Sequence, residues 1–184
     1  MRYLKSKLIT RLFVLLAVAT LAAQSARAGE GDRAPELPLP LCQSIEVEAG
    51  NEVAFHAYAV GVQVYRWNCT AWAFVEPVAN LYADRGFHGQ VGTHYAGPTW
   101  ESNSGSKVVS RRVVNTGCTP DAKAIAWLKL ETVTADGPGI FGGVTFIQRV
   151  NTTGGVAPAL PGTFVGEEAR VPYTAEYYFY RAAN

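Results

Sequence analysis

Tyr173-Thr174-Ala175-Glu176-Tyr177-Tyr178-Phe179-Tyr180 decides the fold class. Its residues sort by twos, with Tyr173, Ala175, Tyr177 and Phe179 on one side of an extended backbone and Thr174, Glu176, Tyr178 and Tyr180 on the other. Aromatic rings on both sides predict a central strand rather than an exposed edge. Core packing is the plain account of these rings, and an aromatic ligand wall is the alternative.

The same period recurs upstream. Val53, Phe55 and Ala57 share one face and His56 and Tyr58 the other, while Val62 and Val64 alternate with Gln63, Tyr65 and Trp67. Asn68-Cys69-Thr70 then separates that run from Ala71 to Val75, which predicts a hairpin. Further strands are predicted over Val108 to Val114, Ile125 to Thr132, Val144 to Val150 and Val171 to Tyr180, with Asp84-Arg85-Gly86 and Ala135-Asp136-Gly137 as turns. Helix signals are confined to Thr119-Pro120-Asp121, which could cap a single turn reaching Ala124. Many short strands with frequent turns predict an all-β, single-domain antiparallel β-barrel or two-sheet β-sandwich with little helix, and the sequence does not separate the two.

Upstream of the strands lies a secretory signal: basic Arg2, Lys5, Lys7 and Arg11, an apolar run from Leu12 to Ala23, and Ala26-Arg27-Ala28 as a small-residue cleavage site. About 12 apolar residues are too few for a membrane-spanning helix, which takes about 20. The expected organisation is therefore a signal over 1–28, a Pro-rich extended leader over 29–44, and a β-rich domain over 45–184, secreted or periplasmic after cleavage near Ala28. Cleavage removes five of the sixteen Lys and Arg and none of the fifteen Asp and Glu, leaving the mature chain about four charges negative. Without a basic patch, nucleic acid is not an expected partner. Cys42, Cys69 and Cys118 are too few and too far apart for a zinc knuckle; an oxidising compartment permits one disulfide, in any of three pairings. Asn151-Thr152-Thr153 fits a glycosylation acceptor.

Chemistry-bearing motifs are sparse. Gly137-Pro138-Gly139-Ile140-Phe141-Gly142 spells a dinucleotide fingerprint, yet a β-branched strand follows where a helix is required, so it reads as a β-turn or hairpin loop and no NAD-dependent dehydrogenase is expected. His88 and His94 would stand about 20 Å apart on an extended strand unless Gly89 and Gly92 fold the segment back, so no metal or other cofactor is expected. His56 reads as a hydrogen-bonded packing residue, and Trp127 as a large buried aromatic. The densest stretch is His94 to Glu101, where a Gly97-Pro98 turn could bring His94 and Tyr95 near Trp100 and Glu101, an acid–base pair beside a stacking surface or simply a locked turn. Gln148, sharing a face with Val144, Phe146 and Val150, and Arg149, with Glu101 as one partner, complete the candidate ligand-binding set His94, Tyr95, Trp100, Glu101, Gln148 and Arg149.

Seven blocks in order resemble the domain-of-unknown-function family 3455 of exported bacterial and fungal proteins: Gly61 to Tyr65, Trp72 to Phe74, His94 to Glu101, Gly105 to Val109, Ile125 to Leu128, Val144 to Pro158 and Tyr173 to Tyr180. The resemblance implies export and one compact domain, and supplies no reaction; the malate dehydrogenase label borne by some fungal relatives finds no support in the glycine loop. Where the family pattern places a cysteine after the Gly-Gly-x-Ala-Pro block, this chain has Ala159-Leu160-Pro161-Gly162, so no disulfide reaching that loop is carried over.

The functional expectation is a non-catalytic binding or structural module, taking a small molecule, glycan or envelope component. The alternative is a hydrolase or lyase using His94 and Glu101 on envelope or extracellular material. A self-associating surface component is a third reading, and the oligomeric state stays open.

Overall fold

The computed structural model describes residues 33–184. The signal expected over 1–28, and the start of the leader, lie outside them. Eight strands form one closed antiparallel barrel in sequence order: β1 Asn51–Trp67, β2 Trp72–Tyr82, β3 Gln90–Tyr95, β4 Thr99–Ser102, β5 Lys107–Arg112, β6 Leu128–Asp136, β7 Val144–Gly154 and β8 Glu168–Ala182. β8 closes on β1 over a register running from Asn51↔Ala182 to Arg66↔Glu168. Closure satisfies the edges of every strand, and β8 carries rings on both faces because Tyr173, Tyr177 and Phe179 pack in the lumen while Tyr178 and Tyr180 lie under the segment from Leu37 to Val47. Among the described residues no helix is long and apolar enough to cross a membrane.

The barrel interior holds Ala57, Ala59, Ala79, Leu81, Trp100, Ile147, Tyr177 and Phe179, with Tyr173 and Ala175 on the inward face of β8 as the alternation predicts. Small residues on β1 make room for large ones opposite. Gly61 is obligatory there, because a Cβ would stand 2.1 Å from the Val78 carbonyl oxygen and 2.5 Å from the Ala79 Cβ.

Two bulges overturn face assignments made by parity alone. A register shift between Val53 and Phe55 leaves Phe55 packed against the interior cluster and sends Val53 to the outside. A second, between Val144 and Phe146, puts Val144 inside while Phe146 packs on the outer wall, so Gln148 shares no face with Val144. A third, between Val150 and Thr153, places Asn151 at φ 49.

The Asn68–Ala71 hairpin forms as expected, its Asn68 Oδ1 accepting from the Thr70 and Ala71 amides. Two expectations for the region after β5 are corrected. Residues 119–124 form no helix: Asp121 accepts from Lys123 N and Ala124 N in an isolated turn. Ile125–Trp127 precede β6 instead of opening it, because Ile125 N and Trp127 N bond to Gly154 O and Cys118 O rather than to a β6 ladder.

The leader is no free linker. It wraps the outside of β7 and β8 as a strap, with Leu37, Cys42, Ile45 and Val47 packed on Phe146, Val150, Tyr178 and Tyr180. Its hydrogen bonds are specific: Gln148 Nε2 donates to Ile45 O at 2.6 Å, and Lys129 Nζ donates to Glu46 O at 2.8 Å and to Glu48 Oε1 at 2.7 Å. The Lys129 ammonium holds the Glu48 carboxyl below its usual range. Of the three pairings, Cys42–Cys118 is formed and Cys69 is free and exposed. Trp127 covers this disulfide cluster half-buried, so it is not the fully enclosed core indole that its sequence context suggests.

Candidate functional site

The two ends of the barrel differ. At one end the glycine loop between β6 and β7 folds back, Gly142 N bonding Gly139 O, and drops Phe141 into the lumen as a stopper. Phe141 packs edge-on to Phe55 (6.3 Å) and against Phe179 (4.7 Å), and its amide donates to Ser106 Oγ. The loop is thus a hairpin connection with a packing task, and it offers no helix N-terminus to a pyrophosphate.

At the other end the lumen opens into a cavity of about 600 Å³, within the range of small-molecule sites. Its floor is His94, Trp100, Tyr177 and Arg149; its walls are Gln63, Tyr65 and the 122–128 segment; Phe74, Val75 and Val156 stand exposed at the rim. The local fold follows from a few bonds. Arg149 donates from Nε (3.1 Å) and Nη2 (2.7 Å) to Ala126 O, Thr152 Oγ1 donates to Ile125 O at 2.6 Å, and Tyr65 Oη donates to Gly155 O at 2.7 Å, pinning two otherwise irregular walls.

His94 and Trp100 are cross-strand partners stacked at 4.2 Å with planes 7° apart, both almost wholly buried. His94 Nδ1 donates to Thr99 O at 2.8 Å. Burial pushes the imidazole down to about 3, the Arg149 charge acting in the same direction and the Thr99 carbonyl opposing. The ring is therefore neutral, with Nε2 left as an acceptor. Burial likewise raises the Tyr65 and Tyr177 phenols, and the nearby Arg149 charge counteracts it.

The six sequence candidates separate across the sheet. His94, Trp100 and Arg149 line the cavity. Tyr95 and Glu101, one residue along each strand, face outward, where Tyr95 Oη donates to Glu101 Oε2 at 2.6 Å and the carboxylate raises the phenol's pKa. The turn at Gly97-Pro98 does pair the residues as expected, but strand alternation divides the pairs between inside and outside. Glu101 is therefore no partner of Arg149, whose guanidinium is held by the Ala126 carbonyl, and it cannot share a substrate with His94. Gln148 is 2 % exposed beneath the strap, bonded to Ile45 O and to Tyr180 Oη, and does not reach the cavity.

His88 and His94 are not brought together either. His88 is exposed beside Asp84 at 3.2 Å, and the described residues contain no cluster of three metal-ligating side chains. His56 packs on the outer wall, stacked on Tyr178 at 4.0 Å with Nε2 3.0 Å from Glu176 Oε2.

Sequence reasoning missed Gln63, Tyr65, Ile125, Leu128 and Tyr177 as cavity residues. One signal was present: Gln63 is polar on the face that a closed barrel must turn inward. The 122–128 wall had no such signal, since its position depends on side chains 23 and 27 residues downstream.

A family model described as a protein of unknown function (DUF3455) matches residues 48–181. No curated protein and no solved structure matches the chain. The matched span runs from the end of the strap through β8 and includes every cavity residue, so the chain belongs to the DUF3455 family of proteins of unknown function.

Proposed function

We propose that this is an exported, non-catalytic binding module of the envelope or extracellular space, and that its ligand is a small molecule taken into the open end of the barrel. The observation that carries the reading is the blind cavity of about 600 Å³, lined mainly by apolar and aromatic side chains with a few convergent polar groups. An eight-stranded barrel has room for one small ligand where its lumen is not filled by side chains. Such a lining favours a largely apolar molecule over a glycan, whose hydroxyls would go unpaired against Ile125, Leu128 and Leu130.

The test is binding of the uncharged fluorophore N-phenyl-1-naphthylamine. We expect saturable emission enhancement with the native protein and at least a tenfold loss with Ala126→Trp, which places an indole in the cavity. Non-saturable enhancement, or affinity unmoved by Ala126→Trp, would sink the reading.

A further inference from the structure

Resting on the binding-module reading, we propose that the ligand is a small organic acid whose carboxylate is held by Arg149 while its flat apolar body lies among Tyr65, Ile125 and Leu128. Charge is the first argument. The lining contains two guanidinium groups, Arg149 and Arg112, and neither aspartate nor glutamate. His94 is neutral, so the cavity is a positive site in a mature domain that is negative as a whole.

Arg149 forms no ion pair with any carboxylate among the described residues. Its partner carbonyl at Ala126 takes two of the five N–H donors and no charge. A partly buried cation without a counter-ion is costly, and a planar carboxylate matches the remaining edge of the guanidinium.

Beneath the guanidinium the floor is closed. Trp100 is 1 % exposed, and its Nε1 has no hydrogen-bond partner. The Tyr177 hydroxyl, equally without accessible surface, lies beside the Arg149 guanidinium and the Tyr173 hydroxyl. Neither group has accessible surface in the cavity, so it is the Arg149 guanidinium that the floor offers to an acid.

Size and lining set the rest of the molecule. Ile125 and Leu128 on the irregular wall, with Tyr65 and Phe74 from the barrel, suit a flat hydrocarbon body rather than a polyhydroxylated one.

The experiment compares 2-naphthoate with its uncharged near-isostere 2-naphthamide by isothermal titration calorimetry on the native protein. Naphthoate should bind at least tenfold more tightly, the scale of one charge-assisted hydrogen-bond pair. The preference should fall to within about twofold in Arg149→Met and be largely kept in Arg149→Lys, which retains the charge. Circular dichroism checks that each variant folds. Equal affinity for the two compounds, or tighter binding of the amide, overturns the assignment even if both variants unfold. Absence of binding by either compound overturns the cavity reading itself, and this inference with it.

Discussion

Acid should destabilise this barrel well above the pH at which its carboxylates titrate, and His94 is the reason. In the unfolded chain the imidazole protonates near 6.5, whereas in the folded barrel it stays neutral down to about 3. Between those values the unfolded state binds one proton more, so stability falls as pH falls and is unaffected by this group above about 6.5. Each pH unit in that window is worth about 1.4 kcal/mol. From pH 7.5 to pH 5.0 the loss from His94 alone is therefore about 2 kcal/mol, a substantial share of the roughly 5–15 kcal/mol that a domain possesses. Urea unfolding at the two pH values, followed by circular dichroism, reads it directly. His94→Gln keeps an N–H for Thr99 O and does not titrate, so its loss over the same interval should be smaller by about 2 kcal/mol. If native protein and variant lose stability equally between pH 7.5 and 5.0, the imidazole is not held neutral by burial, and the account of the cavity floor is wrong.

Further expectations follow from the strap, the stopper and the barrel wall. Replacing Cys42 and Cys118 by alanine releases a cross-link between residues 76 apart, worth about 4 kcal/mol on the loop-entropy scale, so calorimetry should show the melting temperature falling by roughly 10 °C or more, whereas Cys69→Ser should leave it unchanged. Phe141→Ala empties a fully buried site and should cost about 3–5 kcal/mol in urea unfolding; a loss under about 1 kcal/mol would mean that the glycine loop swings free of the barrel. Gly61→Ala must push β1 from β2, and a cost of roughly 1–3 kcal/mol in the same assay is expected. Trp127→Ala removes a half-buried ring, so its cost should be smaller than that of Phe141→Ala.

Alternation along the long strands made the all-β class and the inward face of β8 readable, because a period of two is a local property of extended backbone. It also made the β1–β2 and β3–β4 turns readable, since Asn68 and Gly97 state their conformations locally. What defeated parity was the bulge: one unpaired residue near Val53 or Val144 exchanges inside for outside, and no residue type there announces it. The site suffered most. His94 and Trp100 were found together because they are cross-strand neighbours six residues apart, and Glu101 was wrongly joined to them because proximity along a hairpin does not reveal which side of the sheet a residue faces. Arg149 was identified without its partner. Its acceptor is a main-chain carbonyl at Ala126, and sequence carries no mark of which carbonyls are left over by a ladder. The strap escaped because prolines show where a chain cannot join a sheet, but not what it will lie against.

Because Phe141 corks the far mouth, the lumen is a cup and not a conduit. Anything that settles beside Arg149 must leave by the doorway it came in through, past Phe74, Val75 and Val156. Uptake and release then share one bottleneck, so a substitution at that rim should slow or hasten both together while leaving the equilibrium between them where it was.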